Sequence, residues 1–150
     1  MNTLVVCPNC EKLNRVSLEK ASSAQAVCGS CKSSLPLHDG VQDVTGSSLA
    51  KLLRSADRPV VVDFWAPWCG PCKSFAPVYA QAARQFGDRI IFAKLDTQLH
   101  QLAAEAYQIR GIPTLVVFRN GLEIDRVSGA LPQPVLLEFL TRIAPVSKAA

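Results

Sequence analysis

The six cysteines of this 150-residue chain form three Cys-x-x-Cys pairs, and this spacing restricts the possible folds more than any other feature. The pairs are Cys7 with Cys10, Cys28 with Cys31, and Cys69 with Cys72. Two intervening residues allow a tight turn to direct both sulfur atoms toward one centre. Such a pair can form a disulfide bond, bind a metal ion or carry out redox chemistry, so the surrounding sequence has to distinguish these possibilities.

The first two pairs have the spacing of a metal site. Seventeen residues separate Cys10 from Cys28, which is within the range typical of a four-cysteine zinc ribbon or zinc knuckle. Thiolates in a tetrahedral set suit Zn²⁺, and four protein ligands leave no position open for water. We therefore predict one structural zinc ion, bound by Cys7, Cys10, Cys28 and Cys31. Two disulfide bonds or four unbound thiols are the alternatives.

The N-terminal segment is also poor in apolar side chains. Residues 1–37 contain only about ten apolar side chains larger than alanine, and they contain no aromatic residue. Burial of so few side chains does not offset the entropy lost on ordering the segment, and a bound metal ion would reduce that deficit. Packing against the rest of the chain would have to supply the remainder. We assign residues 1–37 to a zinc-binding module and residues 38–150 to a second domain, with residues 35–40 as the linker.

The third pair lies between a predicted strand and a predicted helix. Residues 59–65 form a β-branched apolar run of the length of a buried strand, and residues 73–86 carry apolar side chains at helical spacing. The N-terminus of a helix stabilises an anion, here the thiolate of Cys69, which is therefore the predicted nucleophile. Cys72, one helical turn further on, is placed to attack the mixed disulfide formed at Cys69.

The rest of the chain alternates predicted helices and strands. The periodicity predicts helices at residues 47–56, 99–107 and 134–143, and strands at residues 90–95, 114–118 and 122–127. Asn120-Gly121 between the last two strands is a strong hairpin signal. The pattern predicts an α/β fold, with a mixed central sheet flanked by helices on both faces.

Five segments of the chain resemble a known family. Residues 61–73, Val-Val-Asp-Phe-Trp-Ala-Pro-Trp-Cys-Gly-Pro-Cys-Lys, resemble the active-site segment of the thioredoxins, and residues 111–114, Gly-Ile-Pro-Thr, resemble their cis-proline loop. Residues 92–96, 118–121 and 128–130 are similar to the family's third strand, last hairpin and substrate-groove glycine. The resemblance covers about residues 40–145. With the two N-terminal pairs, the whole chain resembles the bacterial zinc-binding thioredoxins of the second type.

The resemblance implies a thioredoxin fold and thiol–disulfide exchange. Cys69 and Cys72 would reduce disulfide-containing protein substrates, and an NADPH-dependent, flavin-containing thioredoxin reductase would restore the dithiol. Asp63 would accept the proton of Cys72, with Lys94 beside it. As alternatives that the residues leave open, Asp63 would anchor a turn and Lys94 would be a strand lysine that reaches to solvent. The predicted substrate-binding residues are Trp68, Gly70, Pro71, Ile112, Pro113 and Gly129.

Charge and hydropathy argue against two other classes of partner. The net charge of +4 comes from 16 Lys and Arg against 12 Asp and Glu, without a basic run that could follow a nucleic-acid backbone. No apolar stretch reaches the ~18 residues that span a bilayer. The N-terminus also lacks the pattern of a secretory signal, so we expect a monomeric cytoplasmic protein.

Two other functions remain open at this point. One is a redox-sensing zinc protein, in which oxidation of the four N-terminal cysteines releases zinc. The other is a zinc-ribbon interaction module attached to an inactive redox domain, although residues 1–37 lack an aromatic platform and clustered basic side chains.

Overall fold

The computed structural model of this chain describes residues 1–23 and 25–145. The end of the predicted second domain, residues 146–150, lies outside the described residues. The strands are β1 (Asn2–Val6), β2 (Leu13–Ser17), β3 (Leu37–His38), β4 (Val41–Asp43), β5 (Val60–Trp65), β6 (Ile91–Asp96), β7 (Thr114–Arg119) and β8 (Leu122–Ser128). The helices are α1 (Leu18–Ser23), α2 (Gly46–Ser55), α3 (Gly70–Phe86), α4 (Gln101–Ala106) and α5 (Gln133–Ile143).

Six of these strands form one mixed sheet in the order β3-β4-β6-β5-β7-β8. The strands β4, β6 and β5 run parallel, and the pairs β3–β4, β5–β7 and β7–β8 are antiparallel. Strand β5 is buried along its whole length except at Trp65, as its run of apolar residues predicts for a strand covered on both faces. The predicted α/β class, a mixed sheet flanked by helices, is confirmed.

Each face of the sheet carries its own apolar core. Because successive side chains of a strand point to opposite faces, Val61 packs with α3 and α5, whereas Val60 and Val62 pack with α2. Helix α2 begins after Thr45, whose side chain accepts a hydrogen bond from the Ser48 N–H and so caps the helix.

Helix α3 begins three residues earlier than predicted. Cys69 is its N-cap residue, and Pro71 lies in the first turn, where the missing N–H of proline costs nothing. Helix α4 is shorter than the predicted 99–107, because only the segment Gln101–Ala106 has helical backbone. Among the described helices none is long and apolar enough to span a membrane.

The N-terminal segment folds back on the larger part of the chain. Strands β1 and β2 form an antiparallel hairpin, and one side of this hairpin packs with α1 and with Leu35 and Leu37. Leu4 and Val6, on the other side of β1, join the core beside α2. Buried Gln42 Nε2 donates a hydrogen bond of 2.7 Å to the Leu4 carbonyl oxygen. The rest of the chain therefore provides the additional packing that the apolar-poor N-terminal segment needs.

The predicted linker, residues 35–40, is part of these packed layers. It contains β3, which pairs with β4 at the edge of the sheet, and Gly40 has a φ of 83° in the turn between the two strands. Leu37, the last residue of the predicted module, lies in this strand and in the module's core. Gly40 belongs to the turn that joins two paired strands, and Pro36 precedes β3. The division into two domains at residue 37 stays a prediction.

We expect the substitution Leu4→Ala to lower the free energy of unfolding by about 2 to 5 kcal/mol, because it leaves a cavity in the core beside α2. The control Leu13→Ala lies in the same hairpin, but Leu13 is 38% exposed, so the expected loss is less than about 1 kcal/mol. Urea denaturation followed by tryptophan fluorescence measures both. Equal losses for the two variants would contradict the docking of β1 on this core.

Candidate active site and metal centre

The third cysteine pair lies where β5 leads into α3. Cys69 and Cys72 are joined by a disulfide bond, with their Cα atoms 5.2 Å apart. Cys69 is the N-cap of α3, and its Sγ accepts a hydrogen bond of 3.2 Å from the Cys72 backbone N–H. A helix N-terminus and an N–H donor both stabilise negative charge on a sulfur atom. In the reduced protein this position therefore favours a Cys69 thiolate.

An open groove adjoins this pair. Trp68 is 70% exposed, and a surface cavity of about 210 Å³ lies between Trp68 and residues 109–112. The Ile112 carbonyl oxygen is 3.9 Å from Cys69 Sγ, and the bond from Ile112 to Pro113 is cis, as the resemblance implies. The Pro113 carbonyl oxygen accepts a hydrogen bond of 2.8 Å from Gly129, whose φ is 100°.

The two remaining predicted groove residues, Gly70 and Pro71, begin α3 beside Cys69. A Cβ atom built on Gly70 would meet no atom within 4 Å, so this turn faces open space. The structure therefore brings all six predicted substrate-binding residues to the edge of the sheet where the disulfide lies.

Asp63 lies in the middle of β5 and is almost completely buried. The residue is 3% exposed, and its Oδ1 has no hydrogen-bond partner among the described residues. Burial raises the pKa of this carboxyl group to about 7, although the nearby Lys94 ammonium acts in the opposite direction. A carboxyl group with this pKa can accept or donate a proton near neutral pH, whereas a turn-anchoring aspartate would be exposed and hydrogen-bonded.

Lys94 lies on β6, directly beside Asp63 in the register of the sheet. Its Nζ is 3.7 Å from Oδ1 of Asp43 on β4 and 5.0 Å from the centre of the Trp65 ring. Sequence reasoning missed Asp43, because a three-residue strand has little pattern of its own. Its proximity to Lys94 follows from the pairing of β4 with β6, which joins residues 51 positions apart.

The four N-terminal cysteines converge in space. Their Sγ atoms all lie within 4.8 Å of one another, with 3.7 Å between Cys7 and Cys31 and 3.5 Å between Cys10 and Cys28. These separations are too long for disulfide bonds. They are close to the ~3.8 Å between sulfur atoms around a tetrahedral ion with bonds of ~2.3 Å. The cluster is therefore a possible metal site, and its geometry fits the predicted group.

Polar groups that the sequence analysis did not single out surround these sulfur atoms. Asn14 Nδ2 lies 3.6 Å from Cys28 Sγ and the Ser30 N–H lies 3.4 Å from it, while Asn9 Nδ2 lies 3.5 Å from Cys31 Sγ. Hydrogen bonds from Ser33 and Asn9 lower the pKa of Cys31 to about 5. Asn9 and Asn14 lie close to the cysteines in the sequence, and this proximity was the signal that could have identified them.

Cys10 shows the opposite shift. A backbone hydrogen bond from Lys12 favours its thiolate, but burial and the three neighbouring sulfur atoms raise the pKa of Cys10 to about 11. Four adjacent thiolates repel one another, so a cation is needed for all four to ionise together. The donor set is therefore suited to a possible metal site.

Comparisons with known proteins cover both parts of the chain. The thioredoxin family model matches residues 40–142. Thioredoxin C-3 of Corynebacterium nephridii is 36% identical over 137 residues, which cover 91% of this chain and 92% of that protein. Thioredoxin 1 of Nostoc sp. is 42% identical over 99 residues, or 66% of this chain and 92% of that protein. The solved thioredoxin of Malassezia sympodialis has 36% identity and a TM-score of 0.64, covering 69% of this chain and 93% of that chain.

We expect Asp63→Asn to stabilise the folded chain above neutral pH. The ordinary pKa is 3.8 and the folded pKa is about 7, so the folded state binds the extra proton between these values. The parent therefore loses stability as the pH rises from about 4 to about 7, and the variant does not. At about pH 8 the variant gains roughly 2 to 4 kcal/mol in the free energy of unfolding, and below about pH 4 the gain disappears.

The control for this measurement is Asp125→Asn, which removes a carboxylate from an exposed position on β8. Its urea denaturation curves should match those of the parent at both pH values. A pH-independent difference between Asp63→Asn and the parent would mean that Asp63 is ionised throughout.

Proposed function

Because this chain belongs to the thioredoxin family and is a protein-disulfide reductase, we propose that it reduces disulfide bonds of cytoplasmic proteins through Cys69 and Cys72. The observation that carries this proposal is the position of Cys69 at the N-cap of α3, with its Sγ accepting the Cys72 N–H at 3.2 Å.

The reaction proceeds in two exchange steps. The Cys69 thiolate attacks one sulfur atom of the substrate disulfide, a mixed disulfide forms, and the second substrate sulfur leaves and takes up a proton. Cys72 then attacks Cys69 Sγ, and the bond from Cys69 to the substrate breaks. The substrate has gained two electrons and leaves as a dithiol, and the chain is left in the disulfide form described above. A NADPH-dependent thioredoxin reductase is the proposed source of new electrons.

Asp63 is the proposed acceptor for the proton that Cys72 loses in the second step. Asp63 lies on β5 and Cys72 lies in the first turn of α3, and a cavity of about 410 Å³ reaches Asp63 beside Lys73 and Ala76 of α3. Water in such a cavity can carry the proton between a thiol and a carboxylate that do not touch. In this proposal the positive charge of Lys94 adjusts how readily Asp63 ionises.

The groove beside Trp68 is the proposed substrate site. An extended peptide can pair its backbone with the exposed main chain at Ile112 and Gly129, while its side chains contact Trp68, Gly70, Pro71 and Pro113. Recognition through the backbone accepts many sequences. That breadth suits a reductase with several protein substrates.

The four N-terminal cysteines are the proposed ligands of one structural zinc ion. The tetrahedral spacing of Cys7, Cys10, Cys28 and Cys31 supports Zn²⁺, and four thiolates leave no position for substrate or water. When bound, the ion would hold the two turns of the module together. The chain's own contribution is the set of hydrogen bonds from Asn9 and Asn14 that orient the sulfur atoms.

In an insulin-reduction assay with dithiothreitol, we expect Cys69→Ser to lower the rate to the background without protein, because the nucleophile is lost. Cys7→Ser is the matched control, since it makes the same replacement of sulfur by oxygen in the other cluster. This control should keep partial or full activity. Insulin reduction by Cys69→Ser at the parent rate would refute the mechanism.

We expect one zinc ion per chain by elemental analysis, and loss of this ion in Cys28→Ser. The same variant should lose more than about 3 kcal/mol in the free energy of unfolding, because the metal stabilises only the folded module. Ser30→Ala, in the turn between Cys28 and Cys31, should keep the ion and the stability. Zinc release by peroxide together with a changed reductase rate would favour the redox-sensing alternative over a purely structural site.

A further inference from the structure

Three charged or ionisable side chains form a row across the sheet. The register pairs Asp43 of β4 with Lys94 of β6, and Lys94 with Asp63 of β5. Residues paired in neighbouring strands project from the same face of a sheet. This is the face covered by α3, since Val41, Val61 and Phe92, two residues before each of the three, pack in the core with α3. One ammonium group therefore lies between two carboxyl groups.

Lys94 is engaged with the outer carboxyl group of this row. Its Nζ is 3.7 Å from Oδ1 of Asp43, and the side chain lies over the Trp65 ring. Asp63, on the other side, has an oxygen without any hydrogen-bond partner among the described residues. An opposite charge within ~4 to 6 Å favours the ionised form of a carboxyl group. The position of the Lys94 ammonium between the two carboxyl groups thus determines how strongly it stabilises the Asp63 carboxylate.

We propose that Asp43 is a positioning residue, which holds the Lys94 ammonium away from Asp63 and so weakens the stabilisation that this ammonium gives to the Asp63 carboxylate. This inference rests on the proposed role of Asp63 as proton acceptor for Cys72. Asp43 does not touch the reacting sulfur atoms, and it acts only through Lys94. It thereby sets the pH above which the second exchange step becomes fast.

Other charged or ionisable groups line the same cavity as Asp63. His38 and Asp39 line it from the turn between β3 and β4, and Lys73 and Tyr79 line it from α3. Asp39 forms an ion pair of 3.5 Å with Arg84, and the Tyr79 hydroxyl lies 2.9 and 2.8 Å from two main-chain carbonyl oxygens. On the side of β7, Asp63 is paired with the apolar Leu115. Lys94 is therefore the cation that the sheet itself places beside Asp63.

Removal of the Asp43 charge favours the Asp63 carboxylate in two ways. The freed Lys94 ammonium can approach Asp63, and one negative charge disappears from its surroundings. Both effects favour the Asp63 carboxylate, which accepts the Cys72 proton while the sulfur attacks Cys69. The pH dependence of this step should therefore move to lower pH.

The test follows the second exchange step by itself. The reduced full chain is mixed with the symmetric disulfide of thionitrobenzoate: attack by Cys69 releases one coloured thiolate and forms the mixed disulfide, and attack by Cys72 on Cys69 Sγ releases the second. Stopped-flow absorbance resolves the two releases, and the rate of the second is recorded. Because imidazole groups change charge in the same pH range, every protein carries His38→Gln. We expect Asp43→Asn to lower the midpoint of the pH profile by about 0.5 to 1 unit.

Asp39→Asn is the matched control. It removes the same charge from the rim of the same cavity, but its partner is Arg84, and asparagine tolerates the positive φ of 53° at this position. Its midpoint should stay within about 0.2 unit of the parent, a margin well below the shift expected from an adjacent charge. In a Lys94→Gln background, Asp43→Asn should shift the midpoint by less than half as much.

The variant Asp63→Asn separates the two proposals. If it leaves the pH profile unchanged, Asp63 is not the proton acceptor and the proposed function of this residue fails. If Asp63→Asn abolishes the inflection but Asp43→Asn leaves it in place or raises it, the positioning role of Asp43 alone is overturned. Carbon-13 NMR titration of the Asp63 carboxyl group should give the same direction of shift as the kinetics.

Discussion

Strand β5 is buried on both faces, and the arrangement of the active site depends on this burial. Its parallel pairing with β6 and antiparallel pairing with β7 place the end of β5 beside the start of β7. The loop that carries Cys69 and the loop that carries Pro113 therefore meet at one edge of the sheet. The same burial removes water from Asp63 and raises its pKa to about 7. Burial of β5 thus accounts both for the meeting of the two loops and for the raised pKa of Asp63.

The N-terminal module extends this layered structure. One side of β1 faces the module's own small core, and Leu4 and Val6 on the other side enter the core beside α2. Strand β3, which spans the predicted boundary at residue 37, adds an edge strand next to β4 on the active-site side of the sheet. His38 of β3 lines the cavity that reaches Asp63. The four-cysteine cluster and the redox pair are consequently connected through the core beside α2, which contains residues of both β1 and β5.

The sequence alone predicted the features that depend on residues close together in the chain. The spacing of Cys7, Cys10, Cys28 and Cys31 predicted a cluster, and their sulfur atoms converge within 4.8 Å. Asn120-Gly121 predicted a hairpin, and both residues have the positive φ that such a turn requires. The predicted helix ends were less accurate, because the N-cap Cys69 and the first-turn Pro71 extend α3 beyond its apolar pattern. The edge strand within residues 35–40 was not predicted, because turn residues do not reveal whether the flanking segments pair.

By itself, therefore, the sequence determined the helices and strands from α2 onward, the redox pair and a possible ligand set, since each depends on residues a few positions apart. The tertiary structure decided which distant side chains meet. Asp43, Lys94 and Asp63 come from three strands, and their common row exists because β4 and β5 both pair with β6. Which carboxyl group engages the single ammonium depends on distance and burial, which only the folded chain defines. Burial also gives Asp63 its raised pKa, because desolvation requires the complete core around it.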